Sequence, residues 1–202
     1  MSRLATSFVL GYHGCDKATA HKAVVDGAKI LASTNDHDWL GPGAYFWEAD
    51  PLRAAEHAKE KRQRGEIEDP AVIGAVIDLG YCLDLMSRNG VQAVNAAYTC
   101  FVDIQEKSGL PLPSNRNPRG VVGEDYLFRF LDCAVFRCLH QLVKENATAG
   151  PFSRPYDTVR GVFVEGPPAY SGSGLYSKSH IQIAVVNPSC IKGVFYHRAV
   201  GE

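Results

Sequence analysis

Apolar positions along this chain fall into two rhythms, short runs bounded by turn formers that predict strands and 3.6-residue stripes that predict helices. Phe8 to Tyr12 is a first strand, and Asp16 to Val25 a short helix with Asp16 as N-cap and Gly27 beyond its end, which sets His13-Gly14 at a strand-to-helix junction. Lys29 to Ala32 is a brief extended piece before the polar turn of residues 33–38, and Gly43 to Glu48 is a second strand. Asp50-Pro51 opens a helix that closes before Gly65, its modest apolar face formed by Leu52, Ala55 and Ala58 or Lys59. Ala71 to Leu79 clusters Val, Ile and Ala as a buried strand does, with Gly80 at its end.

In the middle of the chain the period changes. Val91, Val94, Ala97 or Tyr98, Phe101 and Ile104 recur at helical spacing up to Gly109, and a second long helix runs from about Glu124 to Glu145. Its stripe of Leu127, Leu131, Ala134, Val135, Cys138, Leu139 and Leu142 needs a partner, and the preceding helix is the nearest. Between the two, residues 110–120 are rich in turn formers and predict an exposed loop. Strands return at Thr158 to Glu165, His180 to Val186 and Cys190 to His197, separated by the Gly- and Ser-rich loop 170–179 and by Asn187-Pro188. Strands at both ends with helices between them predict an α+β fold: one domain over residues 1–202, with a mainly antiparallel sheet and a helical insert at about 87–150.

Composition narrows this picture without redirecting it. A chain of 202 residues with 46% hydrophobic content fills one core, and a net charge of −1 demands neither nucleic acid nor an anionic membrane. Six scattered cysteines without a Cys-x-x-Cys pair read as buried free thiols in a reducing cytoplasm. No signal-peptide pattern precedes Phe8, and no run reaches the roughly 20 apolar residues of a membrane span.

The candidate chemistry lies in two aromatic-glycine segments, Tyr12-His13-Gly14 and Leu40-Gly41-Pro42-Gly43-Ala44-Tyr45-Phe46-Trp47. Each joins a flat ring to glycines on a strand, an arrangement that clamps a planar heterocycle while backbone contacts run close by. Alternation along the second strand separates Phe46, the core member, from Tyr45 and Trp47. The order His-Gly, then Gly-x-Gly-x-Tyr-Phe, then an Asp-capped helix carrying alanines (Asp50 to Ala58) resembles the NAD-binding core of the ADP-ribosyltransferases of the diphtheria-toxin and poly-ADP-ribose-polymerase type, in a small, stand-alone, bacterial-type form. The resemblance covers residues 8 to 58. The family's third motif lies on a late strand, where Gln182 is the choice and His180, two residues earlier on the same face, its competitor.

The resemblance implies a split antiparallel sheet core with a helical insert, NAD as substrate, and cleavage of the nicotinamide–ribose bond through an oxocarbenium-like sugar. It implies that His13 bonds a ribose hydroxyl, that Gly14 lets the backbone approach the carboxamide, that Tyr45 stacks on nicotinamide, and that Gln182 positions its ribose. Tyr12, Gly43, Trp47 and His180 complete the expected NAD-binding set. An amide at position 182 is no general base, so the expectation is single transfer of ADP-ribose rather than polymer synthesis. The acceptor, whether protein, nucleic acid or small molecule, is left open, and an intracellular toxin with an antitoxin partner, or a regulator, is the setting implied. A non-catalytic NAD- or ADP-ribose-binding module and an NAD glycohydrolase are the alternatives, while RNA 2′-phosphotransfer lacks the basic phosphate pocket it needs. No metal is expected: adjacent Asp36-His37-Asp38 cannot converge on one ion. Lys59 to Arg64 reads as a solvated helix end, Asp132 and His140 as helix-flank hydrogen-bonding residues, and Glu165 as a strand-end surface charge.

Overall fold

A computed structural model describes residues 8–117, 126–145 and 154–197. The elements, in chain order, are β1 (Phe8–Asp16), α1 (Lys17–Val24), β2 (Ala44–Glu48), α2 (Pro51–Gln63), β3 (Pro70–Asp78), β4 (Cys82–Asp84), α3 (Arg88–Ser108), α4 (Phe130–Glu145), β5 (Thr158–Phe163), β6 (His180–Val185) and β7 (Ile191–Tyr196), with a 3-10 turn at Pro188–Cys190. The strands make one seven-stranded sheet in the order β4-β5-β6-β2-β1-β3-β7. All neighbours are antiparallel except β4 and β5. The class is therefore α+β. No helix among the described residues is long and apolar enough to cross a membrane.

The sheet is one ladder rather than two separate sheets, yet its central seam is narrow. β1 pairs with β3 from Phe8 to Asp16, whereas it meets β2 only at Gly11↔Glu48 and Tyr12↔Trp47. Past Tyr12 the two strands part. The long β1–β3 pairing also draws His13 and Gly14 into the strand, so they do not form the expected junction; the helix starts only after Asp16, whose carboxylate accepts from Ala18 N–H.

On one face, α1 and the 3-10 turn cover Phe46, Ala75, Ile77, Ile183, Cys15 and Ile73. On the other, α3 and α4 pack against each other and on Leu83, Val159 and Ala184, the partnership that their stripes predict. α2 shares this second face, but its inward residues are Arg53, Ala54 and Ala58, while Leu52 is 76% exposed. The predicted face holds at Ala58 but not at Leu52 and Ala55, which give way to Arg53 and Ala54. Gly14 is the reason, since a Cβ there would run into the carbonyl oxygen of Ala54 and only glycine lets α2 sit so low.

Other boundaries moved for identifiable reasons. α4 begins at Phe130 rather than near Glu124, because Phe128 bridges Arg116 and Asn115 Oδ1 accepts from Leu131 N–H, capping the helix from a preceding loop. Leu127 is therefore off the stripe, and Glu124 itself lies outside the described residues, as do 118–120 of the predicted loop. Lys29 to Ala32 pairs with no strand; the neighbouring Ser33 bridges Gly43 instead. β4 escaped prediction because three residues carry no period, and it is held by parallel pairing to β5. The cysteines are all free, though only Cys15, Cys133 and Cys190 are buried; Cys82 and Cys138 are half-buried and Cys100 is exposed.

Candidate functional site

The seam where β1 leaves β2 is the place to build from. His13 is paired in register with Ile73, yet its ring reaches across the opening, and Nδ1 lies 2.8 Å from the carbonyl oxygen of Tyr45. A carbonyl only accepts, so Nδ1 carries the hydrogen and Nε2 keeps a lone pair. Burial holds this imidazole below its ordinary pKa, and Lys61 adds to the effect, so at neutral pH the ring is uncharged.

Next to it, Tyr12, Trp47, Gln182 and Gly161 form one row across β1, β2, β6 and β5. His180 stands on the same face, two residues before Gln182. Four of the expected residues, Tyr12, Trp47, His180 and Gln182, therefore share a face beside the His13 seam. Gln182 is half-buried and accepts through Oε1 from the indole N–H of Trp39 at 2.6 Å, which leaves its NH₂ without a hydrogen bond among the described residues. Tyr12 meets His197 edge-on at 5.2 Å.

Tyr45 and Gly43 sit differently from expectation. Tyr45 pairs with Ala184, one step along β2 towards α4, and its half-buried ring packs on the α3/α4 core. Its hydroxyl donates to Gly41 O at 2.8 Å and accepts from Leu40 N–H at 3.0 Å, so it holds the 38–41 turn in place. Burial, reinforced by Asp38, pushes its pKa well above the ordinary phenol value. Gly43 commits both backbone groups to Ser33, at 2.8 and 3.1 Å. Gly41, at φ 78°, gives way to Phe136, so both glycines serve packing of this turn.

The structure adds residues that sequence reasoning passed over. Arg53, in the first turn of α2, is 8% exposed and forms a fork with Glu165, Nη2 to Oε1 at 3.0 Å and Nε to Oε2 at 3.2 Å. Glu165 is therefore a partnered, largely buried carboxylate rather than a surface charge. His180, one of the expected residues, is buried; Nδ1 donates to Lys178 O at 2.7 Å and its ring stacks on Phe163 at 5.6 Å. His57, one turn along α2 from Arg53, lies 4.9 Å from the Trp47 ring, and its pKa is pushed down to about 3 by burial, with Lys61 and Arg53 assisting. Burial lowers His180 too. The band thus holds three neutral imidazoles, His13, His57 and His180, beside one internally compensated ion pair. A signal existed: Arg53, His57 and Glu60 recur at i, i+4 and i+7 on a helix whose alanines must face the sheet.

Trp39 stands between this band and the helical insert. Its ring packs on Phe163 at 5.3 Å, and it also lines a cavity of about 380 Å³ with Val94, Tyr98, Arg129 and Phe136. Elsewhere, Asp132 bonds Arg129 at 3.2 Å as a helix-flank residue. His140 leaves Nε2 buried and without a hydrogen bond among the described residues, against the hydrogen-bonding role expected of it. No group of three or more His, Cys, Asp or Glu among the described residues is arranged to hold a metal ion. No family model, curated protein or solved structure matches this chain.

Proposed function

We propose that this protein is a mono-ADP-ribosyltransferase that binds NAD in the band running from His13 across Trp47 to Gln182. It cleaves the nicotinamide–ribose bond and passes ADP-ribose to a nucleophilic acceptor. The observation that carries the reading is the neutral His13 ring at the opened seam, its Nε2 an acceptor for a ribose hydroxyl, with the free NH₂ of Gln182 offered from the same region of the sheet. An amide donor steadies a ribose oxygen but takes no proton, which favours one transfer per acceptor over chain growth. The fold, on this reading, is the ADP-ribosyltransferase type opened at the β1–β2 seam, with the α3–α4 insert and the 170–179 loop choosing the acceptor.

A second reading, an NAD- or ADP-ribose-binding module without turnover, is favoured by two contacts. The Gln182 carbonyl oxygen is already taken by Trp39, and the Tyr45 hydroxyl by its own turn. The two readings part in a single-turnover assay with labelled NAD and cell lysate. Transferase activity releases nicotinamide and labels an acceptor, and His13→Ala reduces release by on the order of 100-fold or more, the scale on which a lost catalytic contact acts. Tight NAD binding with no release in wild-type protein decides for the binding module. Release without labelled acceptor decides for NAD hydrolysis.

A further inference from the structure

The helical insert holds a cavity that the NAD band does not use. Val91, Val94 and Tyr98 of α3, on one apolar stripe, face Val135 and Phe136 of α4 across about 380 Å³. Elsewhere the two helices close on each other, and Ala97, Leu139 and Val143 are buried in one cluster. At the cavity they do not close, and Val91 and Tyr98 are left 53% and 38% exposed although they lie on the stripe. Protein interiors carry few voids larger than a water molecule. A water takes roughly 30 Å³ and small-molecule pockets run from about 300 to 1,000 Å³, so this space is on the scale of a ligand.

The lining says what kind of ligand. Val135 and Phe136 are buried, and Trp39, Leu85, Val94 and Leu131 are half-buried, so the walls are apolar. Trp39, Phe136 and Tyr98 present flat rings, which favour a ring over a flexible chain that must be frozen on binding. One wall is preformed: the Trp39 indole is held by Gln182, and its ring lies over Gly161, where a Cβ would stand 2.8 Å from it. The polar lining residues reach solvent. Asn95 is exposed, and Arg129, paired through Nη1 with Asp132 Oδ2 at 3.2 Å, is also held by Tyr126 O and lies over Phe163. These two charges cancel. A charged ligand gains a partner only by breaking the pair, whereas a neutral one fills the apolar volume and leaves the pair intact.

We propose that the α3/α4 cavity is a binding site for a small neutral molecule with an aromatic body of two fused or linked rings, its hydrogen-bonding group held at the mouth beside Asn95 and Tyr98. The site is separate from the NAD band and does not depend on the transferase reading.

Fluorescence titration of the full chain with N-phenylnaphthylamine, a neutral ring probe, tests this, with naphthol, naphthoate and decanol as competitors. The probe binds saturably and naphthol displaces it. Naphthoate and decanol compete at least about tenfold more weakly, the first because its carboxylate loses water and the second because its chain loses freedom. Val94→Phe fills the cavity and lowers probe affinity by at least about tenfold. Tyr98→Ala, at an exposed position, removes one wall ring and lowers it by about threefold to tenfold. Gly193→Leu lies in a second cavity, of about 250 Å³, between the end of α1 and β7, where a new Cβ meets nothing within 4 Å, and it leaves affinity unchanged. Circular dichroism and thermal melts check that each variant folds. No saturable probe binding in the wild-type protein overturns the site. So does affinity undiminished in folded Tyr98→Ala or Val94→Phe, or lost in Gly193→Leu. Naphthoate or decanol competing as well as naphthol overturns the ligand class. Probe binding in a protein that does not cleave NAD leaves the site standing and removes the transferase reading; NAD cleavage without probe binding does the reverse.

Discussion

His57 shows how much one residue's surroundings decide. An imidazole on a surface helix titrates near neutrality, but between Trp47, Arg53 and Lys61 the charged form is disfavoured down to a pKa of about 3. Its folded pKa lies below the unfolded value near 6.5, so the unfolded chain binds the extra proton first and stability is lost as pH falls through about 6.5 towards 3. His13 and His180 shift in the same direction. Thermal melts between pH 7.5 and 5, a range set by the unfolded value of about 6.5, will therefore show a falling Tm. His57→Gln will flatten the slope, removing on the order of 1–2 kcal/mol of the loss at about pH 5. A slope unchanged in His57→Gln would mean that His57 takes its proton in the folded protein. At this scale the sequence was legible for Phe46, which is fully buried, and for Asp16 and Asp50 as caps. It was not legible for His180 or Glu165, because the partners that bury them, Phe163 and Arg53, come from other elements.

Between elements, the contact of α2 with β1 is set by Gly14, and that of α4 with its preceding loop by Asn115. Gly14→Ala brings a methyl group against the Ala54 carbonyl, and overpacking of this kind costs about 1–3 kcal/mol. Chemical denaturation will read this as a lower midpoint, and an unchanged midpoint would show that α2 can lift without cost. Asn115→Ala removes the side-chain oxygen that accepts from Leu131 and, at 3.4 Å, from Asp132, for a loss of about 1 kcal/mol by the same measurement. The helix cores of α1, α2 and α3 were readable from period and caps, since those signals are local. The start of α4 was not, because its capping oxygen comes from a loop 16 residues upstream of Leu131.

Across the whole molecule, the Arg53–Glu165 fork ties α2 to the segment that follows β5. Removing one partner of a buried pair leaves the other charged without compensation, at about 3–5 kcal/mol. Arg53→Met alone will therefore destabilise strongly, while Arg53→Met with Glu165→Leu will recover much of the loss. Equal Tm values for the single and double variants would show that the pair is solvated and carries no tie.

By itself, the sequence determined what local physics can encode: the strands and helices with clear period, the caps at Asp16 and Asp50, an α+β class, and the two aromatic-glycine segments that direct attention to His13 and Tyr45. Only the tertiary structure decided that the strands close into one sheet with a two-pair seam, that Tyr45 secures its own turn, and that Arg53, His57, His180 and Glu165 gather around Trp47. The physical reason is reach. Periodicity and capping act over a few residues, whereas burial of a charge or an imidazole depends on partners such as Arg53 and Glu165 that stand 112 positions apart and meet only when the sheet is built.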